Sequence, residues 1–138
     1  MTKSNQVEAS MTRSAIIAAE PQLFVSELEA SLAFYEEKLG FRRVFTSGEP
    51  AFYAQVARDG AKLNLRRVEG PVFAEHFRVH EPDALSATLT LDDARPVFLE
   101  LQAAGVIFHQ SLRREPWGAQ TFIVSDPDGN LILFAGGS

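Results

Sequence analysis

The chain has 138 residues, of which 46% are hydrophobic and 22% charged, and it contains no cysteine. A single domain of this size buries roughly two-thirds of its unfolded surface and needs no covalent staple, while the missing cysteines exclude disulfides, thiolate zinc sites and a thiol nucleophile and fit a reducing compartment. The formal net charge of −5 argues against a nucleic-acid partner, and the pairs Arg42-Arg43, Arg66-Arg67 and Arg113-Arg114 make no basic stripe, because strand neighbours point to opposite faces.

Residues 1–14 are polar and aperiodic, and a flexible tail is expected up to residue 19, with either Met1 or Met11 as the translation start. Ala15-Ile16-Ile17-Ala18-Ala19 is too short for a signal-peptide core, and no apolar run approaches the roughly 18 residues of a membrane helix. A cytoplasmic protein with no membrane partner is therefore expected. The first strand, Glu20 to Val25, puts Leu23 and Val25 on one face and Glu20, Gln22 and Phe24 on the other. Ser26 then reads as a helix N-cap with Glu29 completing a capping box, and Leu28, Leu32, Tyr35 and Leu39 form an apolar stripe. Gly40 supplies the left-handed residue that stops the helix. Strands are predicted at Phe41–Phe45, Ala51–Val56 and Lys62–Arg66, the last two joined through Asp59-Gly60.

Residues 68–83 read as a linker, after which the pattern restarts. Leu85, Ala87, Leu89 and Leu91 alternate with Ser86, Thr88 and Thr90, the period of a strand. Asp92 or Asp93 caps a second helix that tolerates Pro96 in its first turn and turns Ala94, Val97, Phe98 and Leu101 inward. Gly105 ends it, and strands follow at Val106–Gln110, Gln120–Val124 and Asn130–Phe134. Before the last of these, Asp126-Pro127-Asp128-Gly129 is a turn: Pro presets φ, Asp side chains bond nearby amides, and Gly accepts positive φ.

The two halves copy one another. Phe52 to Leu65 lays onto Thr121 to Phe134 with a shift of about 69 residues, and Glu20 onto Ser86 with a shift of about 66. Each half reads strand, helix, strand, strand, strand, which predicts two α+β modules, residues 20–67 and 84–135. The apolar faces (Leu23/Val25, Leu63/Leu65, Leu85/Leu89/Leu91, Ile132/Phe134) belong under the helices. The opposite faces carry Glu20, Gln22 and Phe24; Lys62, Asn64 and Arg66; Ser86, Thr88 and Thr90; Leu131 and Leu133. A closed core would leave these polar groups unpaired at about 1–3 kcal/mol each, so a solvated cup is expected.

Val25-Ser26-Glu27-Leu28-Glu29-Ala30-Ser31 through Phe34-Tyr35 to Leu39-Gly40-Phe41, then Pro116-Trp117-Gly118, then Asp126-Pro127-Asp128-Gly129-Asn130 resemble the vicinal oxygen chelate superfamily. That superfamily includes glyoxalase I, extradiol dioxygenases and bleomycin-resistance proteins, and Pro-Trp-Gly is most similar to its bleomycin-resistance branch. The resemblance implies paired βαβββ modules forming a cup-shaped mixed sheet, usually in a homodimer whose grooves hold a ligand. Its metal enzymes carry their ligands at places corresponding to Glu20, Asn64, Ser86 and Leu133. Here Leu133 has no lone pair, Ser86 stands where His is common, Asn64 is a weak neutral ligand, and one carboxylate makes no chelate. No metal site, cofactor or catalytic residue is expected from this set.

Other chemistry is absent from the sequence: there is no nucleophile elbow, phosphate-binding Gly loop or His-Glu-x-x-His helix. His76 and His80 read as surface residues of the linker. His109 faces either the cup or solvent, and Glu20 makes either a ligand contact or an ion pair with Lys62 or Arg66. Trp117 has two readings, a wall that stacks on a flat ligand as in the resembling branch, or a loop residue packed on its own sheet. Phe73 and Phe77 are candidates for the same wall. The candidate ligand-binding set is thus Glu20, Gln22, Phe24, Asn64, Arg66, Phe73, Phe77, Ser86, Thr88, His109, Trp117 and Leu133. The expected function is metal-independent sequestration of a drug-like molecule, with a cationic or aromatic ligand favoured by the acidic balance. The alternatives are a metal-dependent lyase, isomerase or dioxygenase recruiting metal through a set such as Glu20 and His109, and a regulatory protein-binding relative.

Overall fold

The computed structural model describes residues 13–137, so most of the expected tail lies outside the described residues. Residues 13–21 have no regular secondary structure. Two modules follow. The first comprises β1 (Gln22–Val25), α1 (Leu28–Ala33), β2 (Arg42–Gly48), β3 (Ala51–Arg58) and β4 (Ala61–Arg67). The connecting segment contains one short helix, α2 (Phe77–His80). The second module comprises β5 (Ala87–Asp93), α3 (Ala94–Ala103), β6 (Phe108–Arg114), β7 (Gln120–Ser125) and β8 (Leu131–Gly137). Each module folds its own four-stranded mixed sheet, in the orders β1-β4-β3-β2 and β5-β8-β7-β6, with β1–β4 and β5–β8 parallel. The internal repeat appears directly in the strand register: Gln22 pairs with Asn64 in the first sheet, and Thr88 with Leu133 in the second.

The apolar stripe of α1 behaves as its spacing predicts, since Leu28, Leu32, Tyr35 and Leu39 are all buried. Past Ala33 the helix widens into a π-helical turn, Phe34–Lys38, before Gly40 leaves it at φ 74°. The predicted capping box does not form. Glu27 occupies the N-cap position without a side-chain cap, and Ser26 is used elsewhere. In the second module Asp93 is the cap, its carboxylate accepting from the Arg95 amide, and Gly105 closes the helix at φ 84°. Leu85 corrects the predicted inward face of the fifth strand: it precedes β5 and is exposed. One core joins the helix-side residues of both modules, from Leu23, Tyr35 and Leu65 to Phe98, Phe122 and Phe134. At about 25 cal/mol per Å2 this shared apolar burial is the main favourable contribution to the fold.

Polar contacts fasten the modules at both ends. At one end Arg58 on β3 forms two bonds to Glu100 on α3, at 2.8 and 2.7 Å, and Lys38 donates to the Ala104 carbonyl at 2.9 Å. At the other, the turn before β8 reaches into the first module. Asp126 is 4% exposed. Its Oδ1 accepts from the Asp128 and Asn130 amides at 2.9 and 2.8 Å, and its Oδ2 accepts from Tyr35 Oη–H and Asn130 Nδ2, each at 2.9 Å. Asn130 Nδ2 also donates to the Phe24 carbonyl at 2.9 Å. Asp128 accepts from the Ser26 amide at 3.1 Å and its hydroxyl at 2.6 Å, which is why Ser26 is not the helix cap. Burial pushes the Asp126 carboxyl up, opposed by the hydrogen bonds from Asn130, Tyr35 and the Asp128 amide. Burial and the neighbouring Asp126 charge push the Tyr35 hydroxyl well up, so it remains a donor. Among the described residues no helix is long and apolar enough to cross a membrane.

Tyr35→Phe removes one donor to a buried carboxylate and is expected to cost about 1.5–3 kcal/mol at pH 7 in urea unfolding. The folded Asp126 carboxyl already holds its proton more tightly than the unfolded value of 3.8. Its contribution to stability therefore rises as pH falls through the folded pKa, and the variant, with that pKa raised further, gains first. The deficit should shrink on acidification; a deficit that grows would show that the carboxylate is not the acceptor that matters.

Candidate functional site

The helix-free face of the first sheet is where sequence and structure converge. Gln55 on β3 lies opposite Asn64 on β4, and both are buried, at 8% and 7% exposure. Gln55 Nε2 donates to Asn64 Oδ1 at 2.9 Å and to Glu20 Oε1 at 3.0 Å, and Asn64 Nδ2 reaches the same Glu20 oxygen at 3.4 Å. Glu20 is itself exposed, and no cation among the described residues pairs with it, so the expected ion pair with Lys62 or Arg66 is not made. Arg66 turns away to the end of its strand, its guanidinium 4.8 Å from the Phe52 ring centre. Beside the amides, Gln22 Nε2 donates to Tyr53 Oη at 2.9 Å, and Tyr53 stacks on Phe45 with ring centres 6.1 Å apart. Phe24, on the same face, is 49% exposed.

The equivalent face of the second sheet carries Ser86, Thr88 and Thr90 with Thr121, Ile123, Leu131, Leu133 and Ala135, a surface of hydroxyls and aliphatic groups bordered at β6 by the paired Arg113 and Glu115, which reach Thr121. Ser86 Oγ donates to Asn130 Oδ1 at 3.0 Å, which links this face to the fastening turn. A cavity of about 580 Å3 lies where the β3–β4 turn meets β5, between Lys62, Thr88 and Thr90 on one side and Phe41, Val97 and Phe134 on the other.

Trp117 sits in the loop between β6 and β7 and is 75% exposed. It does not pack down on its own sheet; with Thr90, Leu91, Ala135, Gly136 and Gly137 it borders a second cavity of about 500 Å3. The loop is well pinned. Glu115 and Ala119 bond through their backbones at 2.7 Å, Arg114 donates to the Gly118 carbonyl at 2.8 Å, and Gly118 takes φ 101°. Glu115 also accepts from Thr121 Oγ1 at 2.7 Å and Arg113 Nε at 2.9 Å, bonds that hold its carboxyl below the usual range. A large aromatic surface is thus presented to solvent on a fixed support.

The remaining candidates are placed elsewhere. Phe73 and Phe77 stack on one another at 5.5 Å, and Arg78 lies over both rings while donating to the Ala84 and Gly129 carbonyls. His109 is held by Asp83 in the connecting segment, Nε2 to Oδ1 2.8 Å. His76 and His80 are exposed as expected, although the turn between them is helical, with the His80 amide bonding the His76 carbonyl at 3.2 Å. Among the described residues no three His, Cys, Asp or Glu side chains gather as a metal would require. Glu20 and Asn64 meet on the first sheet, but their counterparts on the second are Ser86 and Leu133, and a leucine donates no electron pair. The residues present do not fit the metal of the enzymes with this fold.

The family model for the Glyoxalase/Bleomycin resistance protein/Dioxygenase superfamily matches residues 16–134, and the chain belongs to that superfamily. No curated protein matches it by sequence. Among solved structures it is similar to TnmS3, an antibiotic binding protein from Streptomyces sp. CB03234, at 30% identity and a TM-score of 0.66 over 91% of this chain and 100% of the other. It is also similar to a bleomycin resistance determinant encoded on the transposon Tn5, at 21% identity and a TM-score of 0.71 over 89% and 99%. The bleomycin-binding protein of bleomycin-producing Streptomyces verticillus, complexed with copper(II)-bleomycin, aligns at 22% identity and a TM-score of 0.69 over 91% and 100%.

Gln55, Tyr53 and Phe45 escape a reading that follows only the strands flanking each parallel pair. Equal steps back from the Asp59-Gly60 turn, however, do pair Gln55 with Asn64. Gln55→Leu leaves Asn64 Oδ1 and Glu20 without their shared donor, and thermal unfolding is expected to show a loss of about 1–3 kcal/mol.

Proposed function

We propose that this protein binds and sequesters a small drug- or toxin-like molecule on its helix-free faces, without a metal and without transforming it. The observation that carries this reading is the pairing of an aromatic and amide-lined face on the first sheet with Leu133 at the centre of the second, where a chelating enzyme needs a donor. The exposed Trp117 ring on its pinned loop supplies a flat stacking surface. The superfamily and the antibiotic-binding character of similar proteins support the same reading. The cysteine-free composition supports a cytoplasmic setting.

The working unit is a homodimer. Among the described residues β1 and β5 are edge strands of their four-stranded sheets, and one such sheet alone encloses a ligand on one side only. The arm before β1 exposes both Ile16 and Ile17, apolar surface that a second copy would cover.

Trp117 is the sole tryptophan, so its fluorescence reports on its own surroundings. Titration with a panel of flat aromatic and glycopeptide antibiotics, bleomycin among them, is expected to quench it, with each bound compound recovered unchanged and binding indifferent to EDTA. Trp117→Ala should weaken binding about ten-fold or more at unchanged fold. Conversion of a compound, or loss of binding in EDTA, would overturn the reading. Sedimentation equilibrium should give the mass of two chains and, after deletion of residues 1–19, a shift toward one; a single-chain mass for the full protein would rule out the dimer.

A further inference from the structure

Resting on the sequestration reading, we infer that Glu20 is the specificity-determining residue of the first sheet, a subsite for a positively charged nitrogen group on the ligand. An exposed glutamate is ordinarily a mobile side chain. This one is oriented by two amides that are themselves more than nine-tenths buried, Gln55 donating at 3.0 Å and Asn64 at 3.4 Å.

Both amides go to the same oxygen, Oε1. Oε2 takes no donor from any described side chain or amide, and no lysine or arginine among the described residues lies within ion-pairing distance. Among the described residues the carboxylate therefore stands oriented, half-satisfied and unneutralised.

The amide geometry follows from the charge. A carboxylate only accepts, so Gln55 must turn its nitrogen toward Glu20, and that leaves Gln55 Oε1 as a further acceptor without a described donor. A fixed anion beside a free amide acceptor matches a group with several N–H donors and a positive charge, an ammonium or amidinium. Phe24, Phe45 and Tyr53 on the same face add ring faces that attract a cation. On the corresponding face of the second sheet the charges present, Arg113 and Glu115, neutralise each other at the β6 edge, so a ligand that satisfies both faces is uncharged over most of its length and cationic at the end that meets Glu20.

The test uses two flat probes of similar shape, the cation 9-aminoacridine and its uncharged relative acridone, titrated into the full chain at low salt and followed by Trp117 fluorescence. The wild type is expected to prefer the cation about ten-fold or more. Glu20→Gln, which keeps the amide contacts, should abolish that preference by weakening binding of the cation far more than that of acridone. Glu20→Lys, which sets an ammonium beside the Gln55 and Asn64 donors, should reverse it, and Glu20→Gln should melt as the wild type does. Equal affinity of the wild type for the two probes, or an undiminished preference in Glu20→Gln, would overturn the subsite and leave sequestration standing. Failure of both probes and of the antibiotic panel to bind would overturn the sequestration reading and the subsite with it.

Discussion

The buried carboxylate of Asp126 is the interaction on which the arrangement of this molecule depends. Four donors converge on it, three from its own turn and one from Tyr35 in the other module. Removing a carboxylate from water is costly, and such a group is tolerated only where its oxygens are satisfied. Satisfying this one requires the β8 turn of the second module to sit against α1 of the first. The same turn then bonds Ser26 through Asp128 and the Phe24 backbone through Asn130. With Arg58 and Glu100 at the opposite end, the modules are fastened at two points over a shared apolar core.

That fastening also determines where the two helix-free faces lie. Because the helix-side residues of both modules meet in one core, the two helix-free faces are left free of it. Asn130 connects them through the chain: its side chain bonds Phe24 at the edge of one face and Ser86 at the edge of the other. The faces differ in chemistry. The first gathers amides, aromatic rings and one oriented carboxylate, and the second hydroxyls and aliphatic groups with a mutually paired Arg113 and Glu115 at its β6 edge. At the place on the second face where a chelate would need a donor, Leu133 stands, leaving only weak donors beside the one carboxylate of Glu20.

The repeat arithmetic made the fold readable, because a shift measured on residue types reappears as strand register, Gln22 with Asn64 and Thr88 with Leu133. Local turn chemistry was equally legible at Gly40, Asp93 and Gly105, each of which acts within its own helix end. Ser26 shows where such reading fails. Its position before a helix with Glu29 following is a capping pattern, in which the hydroxyl would accept from a backbone amide, but Ser26 instead donates its hydroxyl and its own amide to the Asp128 carboxylate, distant in sequence. Glu20 shows the same limit: nearby Lys62 and Arg66 suggested an ion pair, and the amides of Gln55 and Asn64 took their place.

By itself the sequence determined the two modules, the apolar faces beneath their helices and the loss of a chelate, because each follows from periodicity or from the identity of a single side chain. Only the tertiary structure decided which polar groups satisfy one another. It fastened the modules through Asp126, oriented Glu20 with two buried amides, drew Phe73 and Phe77 onto Arg78, and left Trp117 exposed. The physical reason is that burial is written in local pattern, whereas hydrogen bonds and ring contacts between distant segments depend on which groups the packed core brings within about 3–5 Å of each other.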